Sequence, residues 1–290
     1  MSSPYESPRT DKATLVLCLI LFAYLAARVL EIAPSAIPRT AIVALDVLSA
    51  LAFALVDGRR HYGLRGILVF AAICIVVGNT TENLSIATGF PFGHYYFVEL
   101  MGPKLFQVPI LLGLAYIGMA YVSWTVARLI IGDIAFTGLR FLAVPITAGF
   151  IMVAWDVAQD PVWATVLHGW VWRDGGPWFG VPVSNYFGWY LTVFLIYLCF
   201  AFYLRRQPDH TPKNRAASWT AIFFYSLCAA GNVLQTIPHP VPAIVHDPTG
   251  TPWRVADITR ASALVSIFVM GTFAALAWAR LIKQQRHATD

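Results

Sequence analysis

Eight stretches of roughly 20 mostly apolar residues follow one another along the chain, at 13–31, 39–57, 64–86, 105–128, 136–158, 186–205, 216–237 and 256–282. Each is long enough to cross the roughly 30 Å hydrocarbon core of a bilayer as a helix. In hydrocarbon only helices and closed barrels satisfy their own backbone polar groups. The expected fold is therefore an all-α integral membrane bundle of about eight transmembrane helices. It would form a single polytopic domain over 1–290, with frayed tails at 1–12 and 284–290. The composition agrees, with 58% hydrophobic and only 12% charged residues, against roughly 25% charged in soluble domains. A soluble chain this apolar could not cover its surface, which excludes an ordinary cytosolic enzyme, a disordered chain and a disulfide-rich secreted module. The first stretch could pass for a signal peptide, but the same pattern continues behind it with no clear cleavage site, so it reads as a spanning helix.

The connections alternate in character. Those after the second, fourth and sixth stretches are short and basic, whereas those after the third, fifth and seventh are long, aromatic and rich in Gly and Pro. Eight crossings put both termini and the three basic connections on one side. That side carries Arg9, Lys12, Arg59, Arg60, Arg65, Arg128, Arg140, Arg205, Arg206, Lys213, Arg215, Arg280, Lys283 and Arg286. The other side keeps only Arg28, Arg39, Lys104, Arg173, Arg254 and Arg260. The excess of positive charge predicts both termini in the cytoplasm, in a plasma-membrane protein. The net charge of +5 thus needs no nucleic-acid partner; the expected partner is the lipid bilayer. The four cysteines lie inside apolar runs and form no CxxC pair, so neither a metal nor a redox site is indicated.

Ionisable groups inside a membrane are costly and by default functional. Here they fall near one level. Asp46 lies within the second stretch among Ala, Leu and Val; Asn79, Glu82 and Asn83 end the third on one helical face. Asp156 and Asp160 end the fifth, four residues apart, and Pro161 is expected to stop the helix there. Asn232, Gln235, Asp257 and Arg260 complete the set. Acids at helix ends are often merely solvated, and Asp257 has Arg260 available one turn on. Asp46 and the Glu82 cluster have less reason to face lipid.

Two outer loops share one grammar. Residues 88–97 read TGFPFGHYYF and residues 175–189 read GGPWFGVPVSNYFGW. Gly and Pro set tight turns, the aromatics make stiff apolar surface, and His94, Tyr95, Tyr96 and Asn185 offer hydrogen-bonding tips. Such loops also serve as interfacial anchors. Their place on the carboxylate side favours a cavity that satisfies their backbone.

Several chemistries fail on inventory. The seven histidines share no di-iron spacing, and no phosphate-binding Gly-rich loop is present. A proton-coupled transporter would fit the carboxylates, but no inverted repeat is visible. A Mg²⁺-dependent membrane prenyltransferase would use two Asp-rich motifs; Asp156 to Asp160 resembles one, whereas NTTEN at 79–83 supplies a single acid. What remains is acid–base chemistry on a lipid-soluble substrate without a cofactor or metal. Hydration of a trisubstituted alkene has those needs: an acid to protonate one carbon, aromatic faces and a carboxylate to hold the tertiary cation, and a second polar group to aim water.

The stretch ENLSIATGFPFGHYYF from Glu82 resembles a block of the CruF-type carotenoid 1,2-hydratases, a group close to the haloarchaeal bisanhydrobacterioruberin hydratases. A second block is similar too: Asp160-Pro161, Trp170 and Trp172, then FGVP at 179–182 and NYFGW at 185–189. The resemblance implies cofactor-free hydration of the acyclic ψ-end 1,2 double bond of a carotenoid (lycopene, γ-carotene or a C50 precursor) to a tertiary 1-hydroxy group. It implies a carotenoid substrate and admits other carotenoid biosynthesis enzymes as partners. On residue physics, Glu82 is the expected proton donor, beside Asn79 and Asn83. Asp156 or Asp160 would orient water or stabilise the cation, and Asp46 would tune the acid network. Phe92, Tyr95, Tyr96 and Trp163 would line the polyene groove, with His94 and Asn185 as polar tips. The alternatives are a membrane lycopene cyclase, a prenyltransferase of the carotenoid elongase type and a non-enzymatic carotenoid carrier.

Overall fold

A computed structural model describes residues 12–33, 36–132, 141–207, 219–238 and 241–289. Arg9, Arg140, Lys213 and Arg215 of the charge count, and residues 1–11 of the expected tail, lie outside the described residues. The chain is mostly helical: α1 (Lys12–Leu30), α2 (Arg39–Thr88), α3 (Ile110–Ile131), α4 (Ala143–Pro161), α5 (Val183–Arg205), α6 (Trp219–Leu234), α7 (Val255–Val265) and α8 (Gly271–Thr289). Among the described residues, five helices are long and apolar enough to cross a membrane: Lys12–Leu30, Arg39–Thr88, Ile110–Ile131, Val183–Arg205 and Val255–Gln284.

Two of the expected stretches are arms of α2. Residues 58–62, read as part of a basic connection, are helical, and the arms part only at Gly63. Its φ of 71° and ψ of 173° are inaccessible to side-chain-bearing residues without strain. Another difference lies at Pro161. The helix does not end there but widens into a π-helical turn, Val162–Val166, closed by a 2.9 Å bond from the Leu167 amide to the Val162 carbonyl. A wider turn accommodates a proline that supplies no amide of its own. A second π-helical segment, Ser266–Met270, joins α7 to α8. The latter remains helical to Thr289.

α3 runs through the middle, buried without interruption from Tyr116 to Ala127. Around it pack Phe53 and Phe70 of α2, Ile151 of α4, Phe200 of α5 and Phe224 of α6. Large apolar side chains such as Phe22, Val76, Phe187 and Phe268 point outward. A belt of that kind is unfavourable in water and natural against lipid.

The loops at one end are not wholly irregular. Among the described residues, six short strands pair into three antiparallel ribbons: β1 (Tyr95–Phe97) with β4 (Trp170–Trp172), β2 (Lys104–Leu105) with β3 (Val108–Pro109), and β5 (Ile244–His246) with β6 (Pro252–Arg254). The first ribbon ties together the two blocks singled out in the sequence, with Tyr95 opposite Trp172 and Phe97 opposite Trp170.

Candidate functional site

At the ribbon end, a cavity of about 30 Å³ lies between α2, α3, α4, α5 and the β1–β4 ribbon. It has room for one or two water molecules. Glu82, Asp160 and Asn185 bring polar groups to it, and Tyr95, Trp170 and Trp172 wall it with aromatic faces. Among the described residues, no Lys or Arg lines it.

Glu82, 3% exposed on the second arm of α2, accepts hydrogen bonds from two phenols: Tyr95 on one carboxyl oxygen and Tyr116 of α3 on the other, the latter at 2.6 Å. Burial, and then the neighbouring Glu82 carboxylate, push the Tyr95 phenol well above its usual range, so it stays neutral. Tyr116 in turn stacks on Trp189, with ring centroids 4.7 Å apart and planes 6° from parallel.

Asp156 and Asp160 lie one turn apart on α4, as their spacing predicts, and both are buried. Asn185, in the first turn of α5, bridges them: its amide nitrogen donates to Asp156 at 3.2 Å and to Asp160 at 2.7 Å. The Trp170 indole donates to the other oxygen of Asp160 at 2.7 Å. Asp160 thus receives two good donors and Asp156 one weaker one. α5 begins at Val183, a little before the expected 186, which puts Asn185 on a rigid helix rather than at a loop mouth.

Local packing fixes the aromatic wall. Ser85 of α2 accepts from the Phe92 amide at 3.1 Å and donates to the Gly93 carbonyl at 3.0 Å, while Ser184 donates to the Phe92 carbonyl at 2.7 Å. Gly188 lets this loop dock on α5, since a side chain there would meet Phe92 at 2.7 Å and the Pro91 carbonyl oxygen at 2.8 Å. Phe92 is thereby held in the wall, 1% exposed.

Of the residues singled out in the sequence, the structure brings Glu82, Asp156, Asp160, Asn185, Phe92 and Tyr95 together. It places the others elsewhere. Asn79 and Asn83 bond to each other at 2.9 Å, and Asn83 accepts from the Gln107 amide at 3.1 Å, so the pair props the β2–β3 turn. Tyr96 points outward because neighbours in a strand alternate; it lies beneath the Arg173 guanidinium, 5.5 Å from the ring centroid. His94 pairs on the exterior with Asp174 at 3.1 Å. Asp257 sits between Arg254 and Arg260, as the solvated reading of a helix-end acid foresees.

Asp46 and Trp163 line a second cavity of about 60 Å³, which shares Leu112 and Trp170 with the first. Beyond Asp46 is a polar group whose members lie far apart in the sequence. Arg28, 5% exposed, pairs with Glu31 at 2.9 Å and donates to Asn232 at 3.0 Å, and Gln235 donates to Glu31 at 2.9 Å. Tyr116 and Trp189 were also missed. Tyr116 sits inside an apolar run, and its hydroxyl was the only available signal there.

The profile of a family described as "Carotenoid biosynthesis protein" matches residues 39–246. No curated protein and no solved structure matches the chain.

Proposed function

The chain belongs to the carotenoid biosynthesis protein family, and from that premise we propose that it hydrates the acyclic ψ-end 1,2 double bond of a carotenoid. The observation that carries this reading is the meeting, at one small aromatic chamber, of a phenol-held carboxyl (Glu82) and an amide-bridged carboxylate (Asp160).

The roles follow from the hydrogen bonds. A phenol both donates and accepts, so Tyr95 and Tyr116 suit Glu82 in either protonation state. Protonated, Glu82 delivers its proton to C2 of the terminal alkene, and the π electrons leave a tertiary cation at C1. Both phenols then donate to the new carboxylate and stabilise it. The faces of Trp170 and Trp172 hold the cation. Asp160, already receiving two donors, suits the ionised state; it aims a water at C1 and accepts its proton. Transfer of that proton back to Glu82 restores the chamber. One water is consumed and no net proton, and no cofactor is needed.

The chamber also bears on the alternatives. A diphosphate would want Lys or Arg in the wall, which has neither. A cyclase shares the protonation step and differs only in what captures the cation, so the mass of the product separates the two. In the proposed topology the chain crosses the plasma membrane eight times, with α4, α6 and both arms of α2 each crossing once and both termini cytoplasmic. Expression in lycopene-accumulating bacteria tests the function. A pigment heavier by one water supports hydration; an isomer of unchanged mass means cyclisation, an added C5 unit means prenyl transfer, and unaltered pigment means a carrier.

A further inference from the structure

We propose that three adjoining cavities form one lateral passage, through which an acyclic polyene reaches the acid chamber from the lipid side of the bundle. This rests on the reading of that chamber as the reaction site, and adds the route and the part of the substrate each segment holds.

The segments are joined by shared walls. Leu112 and Trp170 separate the acid chamber from the cavity that Asp46 lines. Val43, Met101, Leu111 and Trp163 in turn belong both to that cavity and to a third one of about 340 Å³. The third is apolar over most of its wall, and Thr40 of α2 and Ile110 of α3 are exposed at its rim. The cavity thus reaches the surface between the starts of these two helices, beside Arg39, and this is the mouth assigned to a substrate arriving from lipid.

The sizes step down inward, from about 340 to 60 to 30 Å³. The bulk of a polyene fits only the outer cavity, and only a slim end passes Leu112 and Trp170. Trp163 and Trp170 stack with centroids 6.0 Å apart and planes 4° from parallel, so they form a flat aromatic wall along the route. A flat acyclic end group slides along such a wall. A cyclised end is broader and stays outside, so a carotenoid with one ring enters open end first.

The test is pigment retention and conversion by full-length protein purified from lycopene-accumulating bacteria. Leu111→Trp fills the junction between the second and third cavities. It should lower retained pigment per protein, read by visible absorbance, and conversion, both by tenfold or more, with helicity unchanged. Leu191→Trp, on an exposed face of α5, should change neither. Should Leu111→Trp not fold, Leu114→Phe in the outer cavity gives the same reading with a smaller intrusion. Plugged but folded protein that retains and converts pigment like wild type overturns the passage, as does wild type that retains phospholipid in place of carotenoid. Wild type that binds pigment, loses it on plugging and adds no water leaves the passage standing and defeats hydration.

Discussion

The side-chain nitrogen of Asn185 lies 2.7 Å from a carboxylate oxygen of Asp160, and the same nitrogen reaches Asp156. One amide therefore holds two buried carboxylates on neighbouring turns of α4. Asn185→Leu removes the donor from both and leaves them buried side by side. The expected cost is about 1–3 kcal/mol of stability, since Asp156 loses its donor while Asp160 keeps the Trp170 indole. Thermal unfolding in detergent checks the stability, and pigment analysis should show conversion lost as well.

Glu82→Gln keeps the size of the side chain and can still meet Tyr95 and Tyr116, but has no proton to give. Removing a general acid costs about 10²–10⁴-fold in rate. The expected result is folded protein with retained pigment and turnover reduced by that factor, measured as product formed per protein. Near-normal turnover would move the acid role to another carboxyl.

Tyr116→Phe deletes one of the two phenols on Glu82 and preserves the stack on Trp189. A hydrogen bond to a charged group contributes about 1.5–3 kcal/mol. Because that bond strengthens as Glu82 becomes a carboxylate, the loss should fall on kcat more than on KM. Steady-state assays against substrate concentration separate the two.

The Arg28–Glu31 pair tests structure rather than chemistry. Arg28→Met leaves the partly buried Glu31 beside Gln235 without its cation, which should destabilise the protein by about 1–3 kcal/mol. The double variant Arg28→Met with Glu31→Leu should recover much of that loss, because the uncompensated charge is gone. Unfolding of both variants in parallel decides it.

A pH dependence is expected at the β5–β6 turn. Burial alone would raise the Asp247 carboxyl, but hydrogen bonds from Thr249, Trp253 and Thr251 outweigh it and hold the group below the usual carboxylate range. A depressed pKa contributes stability that is fully present above the unfolded value of about 4 and is lost as the pH falls through the folded one. Protection of the 244–254 amides, taken as the exchange rate relative to the intrinsic rate at the same pH, should therefore be high at neutral pH and fall only below about pH 4. Asp247→Ala should show fast exchange at neutral pH.

Much of the site could be read in the sequence, because carboxylates in apolar stretches are rare and conspicuous. Glu82, Asp156 and Asp160 stand out for that reason, Asn185 as the one amide of an aromatic Gly/Pro-rich loop, and the four converge. The errors came from geometry that spacing under-determines. Asn79 is three residues from Glu82 and four from Asn83, yet Glu82 and Asn83 themselves lie about 100° apart on a helix of about 3.6 residues per turn. One can face the chamber while the other props a turn. Residues 95–97 were read as loop, which conceals the period of two that sends Tyr95 and Phe97 inward and Tyr96 out. Tyr116 and Trp189 meet only through the packing of α3 and α5, and no local pattern announces such a meeting. In the fold, the apolar stretches were legible, but a glycine break inside one long helix and a π-helical turn after Pro161 were not. Both depend on backbone torsions that residue type permits without dictating.

The central claim is acid-catalysed addition of water at Glu82. It is tested most directly by incubating the purified protein with an acyclic carotenoid in deuterium oxide and analysing the product. The account predicts a tertiary alcohol carrying one carbon-bound deuterium on the carbon next to the carbinol, formed by wild type and lost with Glu82→Gln. A product without the hydroxyl, or a hydroxylated product with no deuterium on that carbon, would contradict it.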